Sequence, residues 1–456
     1  MSNLLAARAQ MGTSLAFHII FSVLGVGIPL LLCIAEGLAL KTKNPVWMML
    51  TRRWSRAAAI LFAIGAVSGT ILSFELGLLW PTYTKYVGQV IGLPFMLEGF
   101  AFFTEAIFLG LYLYGWDRLS PRAHWLCSFP IWISGLASAW FIVSANSWMN
   151  TPTGFVIKNG KVIDVNPLQA IFNPSTPYET VHMILASYVV TGFAVAAVYA
   201  FGMLRGRRSD YYRKGLLLGM LMVVVATPLQ FISGDFNARY LASYQPAKFA
   251  AMEGVFKTES GAPIKIGGLA DPQTGQVYYA LEIPKGLSIL AYGDANATVK
   301  GLDRFARADW PNATIVHTSF DGMVGSGSFA LLVALVFWGL YLLRRRVFPQ
   351  NRLLLGAIVL ASPLTFLALE LGWMVTEIGR QPWIIYGYLR TKDAVTTAPW
   401  LNVSFLVFSC IYVLLAAALI WLLLAVTRRP LPEVTVARQG FTVREPVMRE
   451  PEKVGV

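Results

Sequence analysis

Residues 364–383 read LTFLALELGWMVTEIGRQPW, and they place a carboxylate, Glu370, inside an apolar run that stops at Arg380. An ionised carboxylate is expensive in hydrocarbon, so a glutamate inside a membrane span is a functional candidate by default. The five residues 379–383 (Gly-Arg-Gln-Pro-Trp) also contain a glycine with a following proline, which is an ordinary way to end a helix. The stretch therefore predicts a transmembrane helix that carries a functional carboxylate and ends at a sharp corner.

The composition of the whole chain indicates a polytopic membrane protein, since 56% of its 456 residues are hydrophobic and only 13% are charged. Nine apolar stretches are long enough to span a bilayer, at 14–38, 57–79, 94–115, 125–148, 178–204, 215–233, 324–343, 353–377 and 401–427. The first is too long for a signal peptide and lacks a basic segment before it. We expect an all-α polytopic fold with nine transmembrane helices.

The net charge of +13 could suggest a nucleic-acid partner, but the distribution of the basic residues indicates a membrane topology instead. Basic residues concentrate in alternate connections, and the connections between them are poor in Lys and Arg. This alternation fits the positive-inside rule, with the N-terminus outside and the C-terminus in the cytoplasm. The residues concerned are Lys41, Lys43, Arg52, Arg53, Arg56, Arg118, Arg122, Arg205, Arg207, Arg208, Arg213, Lys214, Arg344, Arg345, Arg346, Arg352, Arg428 and Arg429.

Four segments are predicted along the chain: helices 1–6 over 1–233, an extracytoplasmic loop over 234–322, helices 7–9 over 323–427 and a cytoplasmic tail over 428–456. A loop of that length is usually functional or disordered, and its apolar and aromatic residues favour partial folding. The tail is expected to be a flexible end without chemistry. A smaller outer loop has a hairpin-like turn at 158–161 (Lys-Asn-Gly-Lys).

Five costly polar residues fall at one predicted level, the outer half of the bilayer: His18, Glu98, Glu105, His182 and Glu370. Glu98 and Glu105 are seven residues apart, so two helical turns place them on one helix face. A histidine in a span can also be a satisfied interhelical hydrogen-bonding group. Their common depth favours one shared site.

Four further ionisable residues have ordinary interpretations. His124 lies at the predicted cytoplasmic edge of the fourth span, and His317 lies in the predicted outer loop, where solvation explains it. Glu36 and Glu75 lie nearer the predicted helix ends, where solvated positions explain them equally well. We expect no special role for His124 and His317.

Met323 lies at the predicted depth of His182. A methionine in a helix is usually core filler, but a His/Met pair on two helices can hold a six-coordinate haem iron. Small residues at 322 and 325–328 would let a flat macrocycle approach, although close helix packing explains them too.

These residues and several motifs resemble subunit I of the cytochrome bd-type quinol oxidases over nearly the whole chain. The motifs are 8–12 (Arg-Ala-Gln-Met-Gly), 97–99 (Leu-Glu-Gly), 102–105 (Phe-Phe-Thr-Glu), 115–119 (Gly-Trp-Asp-Arg-Leu), 144–149 (Ser-Ala-Asn-Ser-Trp-Met), 234–236 (Gly-Asp-Phe), 323–325 (Met-Val-Gly), 370–373 (Glu-Leu-Gly-Trp) and 379–383. Their order along nine predicted spans is more specific than any one of them.

The resemblance implies an enzyme that oxidises membrane quinol at the outer face and reduces O2 to water at a buried haem pair. Charge would be separated without pumping. It implies two haem b and one haem d, with haem b as the alternative at the third site. It also implies a second large subunit, accessory single-helix subunits and a place in the bilayer of the bacterial cytoplasmic (inner) membrane.

Residue-by-residue matching implies the haem ligands. His182 and Met323 would hold a low-spin haem b near the outer surface. His18 and Glu370 would be the axial ligands of the other two haems, in an order that the resemblance leaves open.

The same matching implies the residues that handle protons and quinol. Glu98 and Glu105 resemble carboxylates tied to the haem pair and to proton delivery. Lys248 and Glu253, in the long outer loop, resemble residues involved in quinol oxidation. Arg8, from the first matching segment, is a candidate cofactor-binding residue.

Arg380 is interpreted as reaching a haem propionate or the quinol site. The chain departs from the family pattern at Asp321, where an arginine is common, and this change bears on the tuning of the nearby haem. Residues 74–80 read Phe-Glu-Leu-Gly-Leu-Leu-Trp where the family has Phe-Gln-Phe-Gly-Thr-Asn-Trp. With its short outer loop, the chain resembles a short-loop, divergent or cyanide-insensitive branch.

Other membrane proteins fit the sequence less well. A haem-copper oxidase needs more than the four histidines present, and a dihaem cytochrome b needs paired histidines on two helices. A proton- or cation-coupled transporter could use the intramembrane Glu and His residues, but it predicts a matched pair of broken helices. A haem b electron-transfer relative that does not reduce oxygen is the remaining alternative.

Overall fold

Nine long helices dominate the computed structural model, which describes residues 1–158, 161–345, 347–437 and 440–444. Each described helix is long and apolar enough to cross a membrane and contains the core of a predicted span. They are α1 (Asn3–Thr42), α2 (Pro45–Leu79), α4 (Gly92–Tyr114), α5 (Pro121–Asn150), α7 (Thr176–Leu204), α8 (Asp210–Tyr244), α11 (Ala313–Leu343), α12 (Arg352–Arg380) and α14 (Leu401–Arg428). The predicted all-α fold with nine spans is confirmed.

Five short helices lie in the connections: α3 (Pro81–Val90), α6 (Pro167–Ile171), α9 (Pro246–Met252), α10 (Gly286–Tyr292) and α13 (Thr391–Ala394). Strands form small antiparallel pairs, β1 (Val156–Lys158) with β2 (Lys161–Ile163) and β9 (Trp383–Ile385) with β10 (Leu389–Arg390). Of the predicted turn at 158–161, Asn159 and Gly160 lie outside the described residues. The flanking Lys158 and Lys161 face each other in the register.

The predicted outer loop, 234–322, is too long at both ends. α8 continues to Tyr244, and Arg239 pairs with Asp235 one turn earlier at 2.9 Å. α11 begins at Ala313 because the Asn312 side chain accepts a hydrogen bond from the Ile315 amide. Polar capping and pairing extend both helices beyond their apolar segments, which apolarity alone could not predict.

The outer loop between these helices is folded, as its apolar content predicts. It contains α9, α10 and three strand pairs: β3 (Glu259–Ser260) with β8 (Thr298–Val299), β4 (Ile264–Ile266) with β7 (Leu281–Ile283), and β5 (Leu269–Asp271) with β6 (Gln276–Tyr278). Phe249, Leu287 and Leu302 are buried in one cluster with Val316 of α11. This cluster anchors the loop on the ends of α8 and α11 that it joins, and the end of the bundle that carries this loop is called the outer end.

The prediction of a flexible tail is wrong for part of its length. β11 (Glu433–Ala437) pairs antiparallel with β12 (Gly440–Arg444), and β11 packs against α2. The Arg53 guanidinium of α2 donates to the carbonyls of Val426 and Arg429. This arginine fixes the start of the tail. Residues 445–456 lie outside the described chain.

α1 is the central helix of the bundle, packed against α2, α5, α7 and α14. The closest pairing is between α7 and α8, where two glycines bring the backbones together. A Cβ added to Gly219 would lie 2.8 Å from the Gly192 carbonyl oxygen and 3.0 Å from the Ala196 nitrogen. Backbone atoms cannot move aside as a flexible side chain can, so these glycines set the spacing of the helices that carry much of the site.

We predict that Gly219→Ala destabilises the protein by roughly 1–3 kcal/mol, the usual cost of overpacking a tight contact. Thermal unfolding in detergent, followed by circular dichroism, measures it. Gly339→Ala is the matched control, because an added Cβ there meets nothing within 4 Å. Alanine favours a helix over glycine by about 1 kcal/mol, so the control should be unchanged or slightly more stable. Equal melting temperatures of the two variants would contradict the close α7–α8 packing.

Candidate functional site

The His182 ring on α7 is held by two side chains of α8. Its Nδ1 lies 2.9 Å from Ser233 Oγ and its Nε2 lies 2.9 Å from the Gln230 side-chain nitrogen. An amide nitrogen can only donate, so Nε2 accepts and the ring hydrogen is on Nδ1. Gly234 faces the ring, since a Cβ there would lie 3.4 Å from His182 Cε1.

The His18 ring on α1 has the same arrangement against α2. Its Nδ1 lies 2.9 Å from Ser68 Oγ, whose own hydrogen points to the Gly65 carbonyl, so Nδ1 donates and Nε2 keeps its lone pair. A Cβ on Gly69 would lie 2.9 Å from His18 Cε1. Two Ser-Gly pairs, 68–69 and 233–234, therefore each hold one histidine in the tautomer that leaves a lone pair on Nε2. In this structure that lone pair meets a side-chain donor, Gln230 at His182 and Ser22 at His18, each at 2.9 Å.

Met323 lies inside α11, three turns from its outer end, and not at the opening of the helix as predicted. Its sulfur faces Gly372 of α12, where a Cβ would lie 3.1 Å away. α11 packs against α8 and α12, and α12 packs against α7. The helices that carry His182 and Met323, α7 and α11, are thus linked by their shared neighbours α8 and α12.

Two carboxylates share a face of α12. Glu370 is half-buried, and its Oε1 has no hydrogen-bond partner within the described residues. Glu377 lies seven residues further out, on the same face. It accepts from the Asn146 amide at 2.5 Å and pairs with Arg380. Sequence reasoning missed Glu377, although its position just before the 379–383 motif and its spacing from Glu370 could have indicated it.

Arg380 is buried, with 2% of its surface exposed. Its Nε and Nη1 find no acceptor in the part of the chain that the structure describes. A buried guanidinium with open donors is costly unless an anion or a polar ligand meets them. This observation fits the interpretation that Arg380 contacts an anionic group.

Lys248 of α9 lies near Glu377 and Arg380. These three residues, with Asn146, Asn150 and Glu179, are called the outer cluster. Its ammonium donates to Asn150 Oδ1 at 2.7 Å, and Asn150 in turn donates to Glu179 Oε1 at 3.2 Å. Its stem lies against Gly379, where a Cβ would be 2.8 Å from Lys248 Cγ. Burial lowers the pKa of Lys248 to about 8, against the opposing charge of Glu179.

Glu253 faces other neighbours than Lys248 does. It is buried at the end of α9, and its Oε1 lacks a partner among the described residues. Burial, and secondarily the nearby Asp321 carboxylate, raise the pKa of Glu253 to about 8. The structure therefore separates Lys248 and Glu253 into two environments, a division that the sequence did not predict.

The expectation that His317 is a solvated loop residue is wrong. It lies in α11 and is fully buried, with Nδ1 2.8 Å from the Met252 carbonyl and Nε2 3.3 Å from the Gly267 carbonyl. Its Nε2 is also 3.4 Å from Asp321 Oδ2. Asp321, the departure from the family pattern, therefore has a histidine beside it.

Glu98 and Glu105 do share a face of α4, directed at α5. Ser138 Oγ donates to Glu98 Oε1 at 3.0 Å, and a Cβ on Gly135 would lie 3.7 Å from Glu105 Oε2. Glu105 lies just past the midpoint of α4 and not in its outer half, because α4 begins only at Gly92. The two carboxylates thus extend from the outer half to the middle of the bundle.

Two other expectations need correction, because interhelical partners replace solvent in both cases. Glu36 and Glu75 are fully buried and not solvated. Glu75 accepts from the Gln10 amide at 2.9 Å. His124 is also buried, 2.7 Å from Glu36 Oε1. Arg8 is exposed on α1 and lies outside the buried cluster of Lys248 and Arg380.

The geometry is that of a membrane protein in which helices hold imidazole, thioether and carboxylate groups in the outer half of a bundle. A family model for the cytochrome bd terminal oxidase subunit I matches residues 6–431. The chain belongs to this family.

Relatives support the assignment over nearly the whole length. A Bacillus subtilis (strain 168) protein named "Putative cytochrome bd menaquinol oxidase subunit I" is 40% identical over 94% of this chain and 97% of its own. The cytochrome bd ubiquinol oxidase subunit 1 of the same organism is 33% identical over 92% and 93%. The structure of bd oxidase from Geobacillus thermodenitrificans superposes with a TM-score of 0.89 at 38% identity, covering 94% of this chain and 98% of that one.

We predict that Asn150→Ala lowers stability by roughly 3–5 kcal/mol, because it leaves the buried Lys248 ammonium without its amide acceptor and removes the amide that joins it to the half-buried Glu179. Thermal unfolding of the purified protein tests this. Asn296→Ala is the control, since Asn296 also accepts from a lysine, Lys285 at 3.2 Å, but at an exposed site. The control should change stability by less than about 1 kcal/mol. A cost no larger than that of the control would show that Lys248 and Glu179 do not depend on Asn150.

Proposed function

We propose that this chain is the haem-carrying subunit of a bacterial quinol oxidase that oxidises membrane quinol at its outer face and reduces O2 to water at a buried haem pair. As a member of the family it is subunit I of a cytochrome bd-type oxidase, which works with a subunit II. The single observation that carries the proposal is the matched pair of half-buried histidines, His18 and His182, each held with its hydrogen on Nδ1 so that Nε2 presents the lone pair that iron would take in place of the Ser22 or Gln230 donor.

Haem and quinol belong to the family, and the residues present fit a haem. Glycines 69, 234 and 372 let His18, His182 and Met323 pack closely against a neighbouring helix, which fixes the positions of these three donor groups. The open donors of Arg380 fit an acidic substituent such as a propionate. We propose two haem b and one haem d, with haem b as the alternative at the third site.

We propose that His182 and Met323 would hold the iron of a low-spin haem b, and that His18 would hold one haem of the buried pair. For the other haem we propose a carboxylate of α12. Glu370 is favoured by its unpartnered Oε1. Glu377 is the second candidate, because it lies on the same face beside Arg380, whose Nε and Nη1 have no described acceptor.

When bound, the haems supply the electron transfer and the oxygen reduction. The chain's own residues place quinol and move protons. Lys248 and Arg380 are proposed to hold the quinol oxygens or an acidic haem group at the outer face. Glu253, whose pKa of about 8 suits a group that exchanges protons near neutral pH, is proposed to accept a quinol proton and release it outside.

Glu98 and Glu105 are proposed to deliver protons from the cytoplasm to the buried pair. Product protons then enter from one side while substrate protons leave on the other, so charge is separated without a pump. This direction depends on the proposed orientation, with the N-terminus outside and the C-terminus in the cytoplasm of the inner membrane. The proposed partners include accessory single-helix subunits and the lipid that surrounds the exposed apolar faces.

The transporter interpretation predicts broken spans at matched positions. Among the described residues, prolines lie inside α1, α5, α8 and α12, and each of these helices continues through its proline: Pro29, Pro130, Pro228 and Pro363. Continuous helices and membership of the oxidase family both favour the enzyme.

A dithionite-reduced minus air-oxidised spectrum of the purified oxidase should show haem b bands and a red-shifted haem d band. His182→Ala should remove the low-spin haem b signal and leave the other bands, because only one haem loses its ligand. A spectrum without haem bands would exclude the oxidase function. Persistence of all bands in the variant would refute the ligand assignment, and bands of haem b alone would assign haem b to the third site.

Glu370→Gln and Glu377→Gln should separate the two α12 candidates. We expect the Gln substitution of the true ligand to abolish one high-spin haem signal, because a neutral amide is a far weaker iron ligand. The other variant should keep all three haems by pyridine haemochrome quantification. Three haems in both variants would exclude a carboxylate of α12 as the ligand.

A further inference from the structure

The cytoplasmic ends of α1, α4 and α5 bury an acid–base pair that the proposed function leaves unused. Glu36 of α1 is 1% exposed and His124 of α5 is 2% exposed. Glu36 Oε1 lies 2.7 Å from His124 Nδ1, and Glu36 Oε2 accepts the Tyr112 hydroxyl of α4 at 2.6 Å. Three helices thus meet at one carboxylate.

The hydrogen bonds leave one mobile proton in this pair. His124 Nε2 lies 2.8 Å from the Tyr112 carbonyl, which can only accept, so Nε2 keeps its hydrogen. The Tyr112 hydroxyl hydrogen points at Oε2. One position remains, between Nδ1 and Oε1, and a proton there can sit on either atom without any other bond being rearranged.

Polar groups continue inward from the pair along the seam of the three helices. Cys33, one turn inward of Glu36, hydrogen-bonds to Ser128, one turn inward of His124. Glu105 lies two turns inward of Tyr112, about 10 Å along α4 at 1.5 Å per residue. Its Oε2 lies beside Gly135 of α5 at the same seam. The pair is therefore at the cytoplasmic end of a series of polar groups, and Glu105, a proposed proton carrier, is at the other end.

One aromatic layer separates His124 from the cytoplasmic side. The Trp116 ring lies on the imidazole with centroids 3.8 Å apart, and the Arg52 guanidinium lies 3.9 Å from the centre of the Trp116 ring. Trp116 belongs to the short connection between α4 and α5, next to the exposed Asp117. Movement of this connection would give water access to the ring.

We propose that Glu36 and His124 form a proton-loading site through which protons from the cytoplasm reach Glu105. The proposal rests on the proposed function, which requires protons from that side. A purely structural tie is the competing interpretation, but replacing a buried ion pair by apolar residues is often neutral or stabilising, so helix packing alone does not call for one.

The step conserves protons. The shared proton leaves through Glu36 along the Cys33–Ser128 contacts to the Glu105 carboxylate, and it leaves Nδ1 and the Glu36 carboxylate both unprotonated. A proton from cytoplasmic water then restores the pair. The groups that face it are Arg52, Cys33, Tyr112 and Trp116, and of these only Arg52 carries a fixed charge.

Glu36→Gln tests the proposal, because glutamine keeps the shape and the hydrogen-bonding capacity but cannot take up the proton. In proteoliposomes of the complete oxidase we expect proton uptake from the cytoplasmic side, and oxygen consumption with quinol, to fall about 100-fold. Glu36→Asp should recover most of both. Haem spectra and melting temperatures should match those of the unaltered enzyme.

Tyr199→Phe is the matched control. Tyr199 is also buried near the cytoplasmic end of a span and bonds to another helix, through Trp54 at 2.8 Å, but it lies on α7, away from the seam. This variant should keep normal proton uptake. Unchanged uptake and an unchanged pH profile in Glu36→Gln would overturn the proposal and leave a structural tie.

Infrared spectroscopy of the resting protein gives a readout that does not depend on turnover. We expect a carboxyl band that shifts in D2O and is absent from Glu36→Gln. A band that never exchanges with D2O would also overturn the proposal. Absence of haem and of oxygen consumption in the unaltered enzyme would instead refute the proposed function, while the infrared result would still report on the pair.

Discussion

The cost of an unpaired polar group in hydrocarbon decides how this bundle is assembled. Each site histidine gives its one ring hydrogen to a serine hydroxyl, and that serine gives its own hydrogen to a carbonyl three residues earlier on its helix. The tautomer, the helix pairing and the lone pair on Nε2 then follow together. His18 joins α1 to α2 and His182 joins α7 to α8, and in both cases the glycine after the serine leaves room at the ring.

The same constraint organises the outer cluster through two amides on α5. Asn146 and Asn150 are one turn apart, and an amide can donate and accept at once. Asn146 meets the carboxylate of Glu377, while Asn150 accepts from Lys248 and donates to Glu179. Asn146 gives segment 144–149, which the sequence offers only as a resemblance, a physical role. Together with Asn150 it brings charges from three separate elements to one place.

Apolar length and basic loops were enough to predict nine helices, because burying backbone in lipid leaves few alternatives. Spacing was enough to predict that Glu98 and Glu105 share a face. The sequence could not predict which side chains bond between helices, since nothing in the local sequence shows that Glu36 meets His124 or that His317 meets Met252. That is why the solvated interpretations of Glu36, Glu75 and His317 failed. Glu377 was missed because it lies just outside the 379–383 motif that contains Arg380.

The two sets of proton-bearing groups are kept apart by the middle of the central helix. Between His18 and Glu36, α1 presents buried apolar residues, among them Val23, Ile28 and Leu31. The side chains of α1 between Ser22 and Cys33 offer no polar group that would join the cluster of Lys248 and Glu253 to the pair of Glu36 and His124. Under the proposed function, this apolar segment keeps protons released at the first set from passing along α1 to the second.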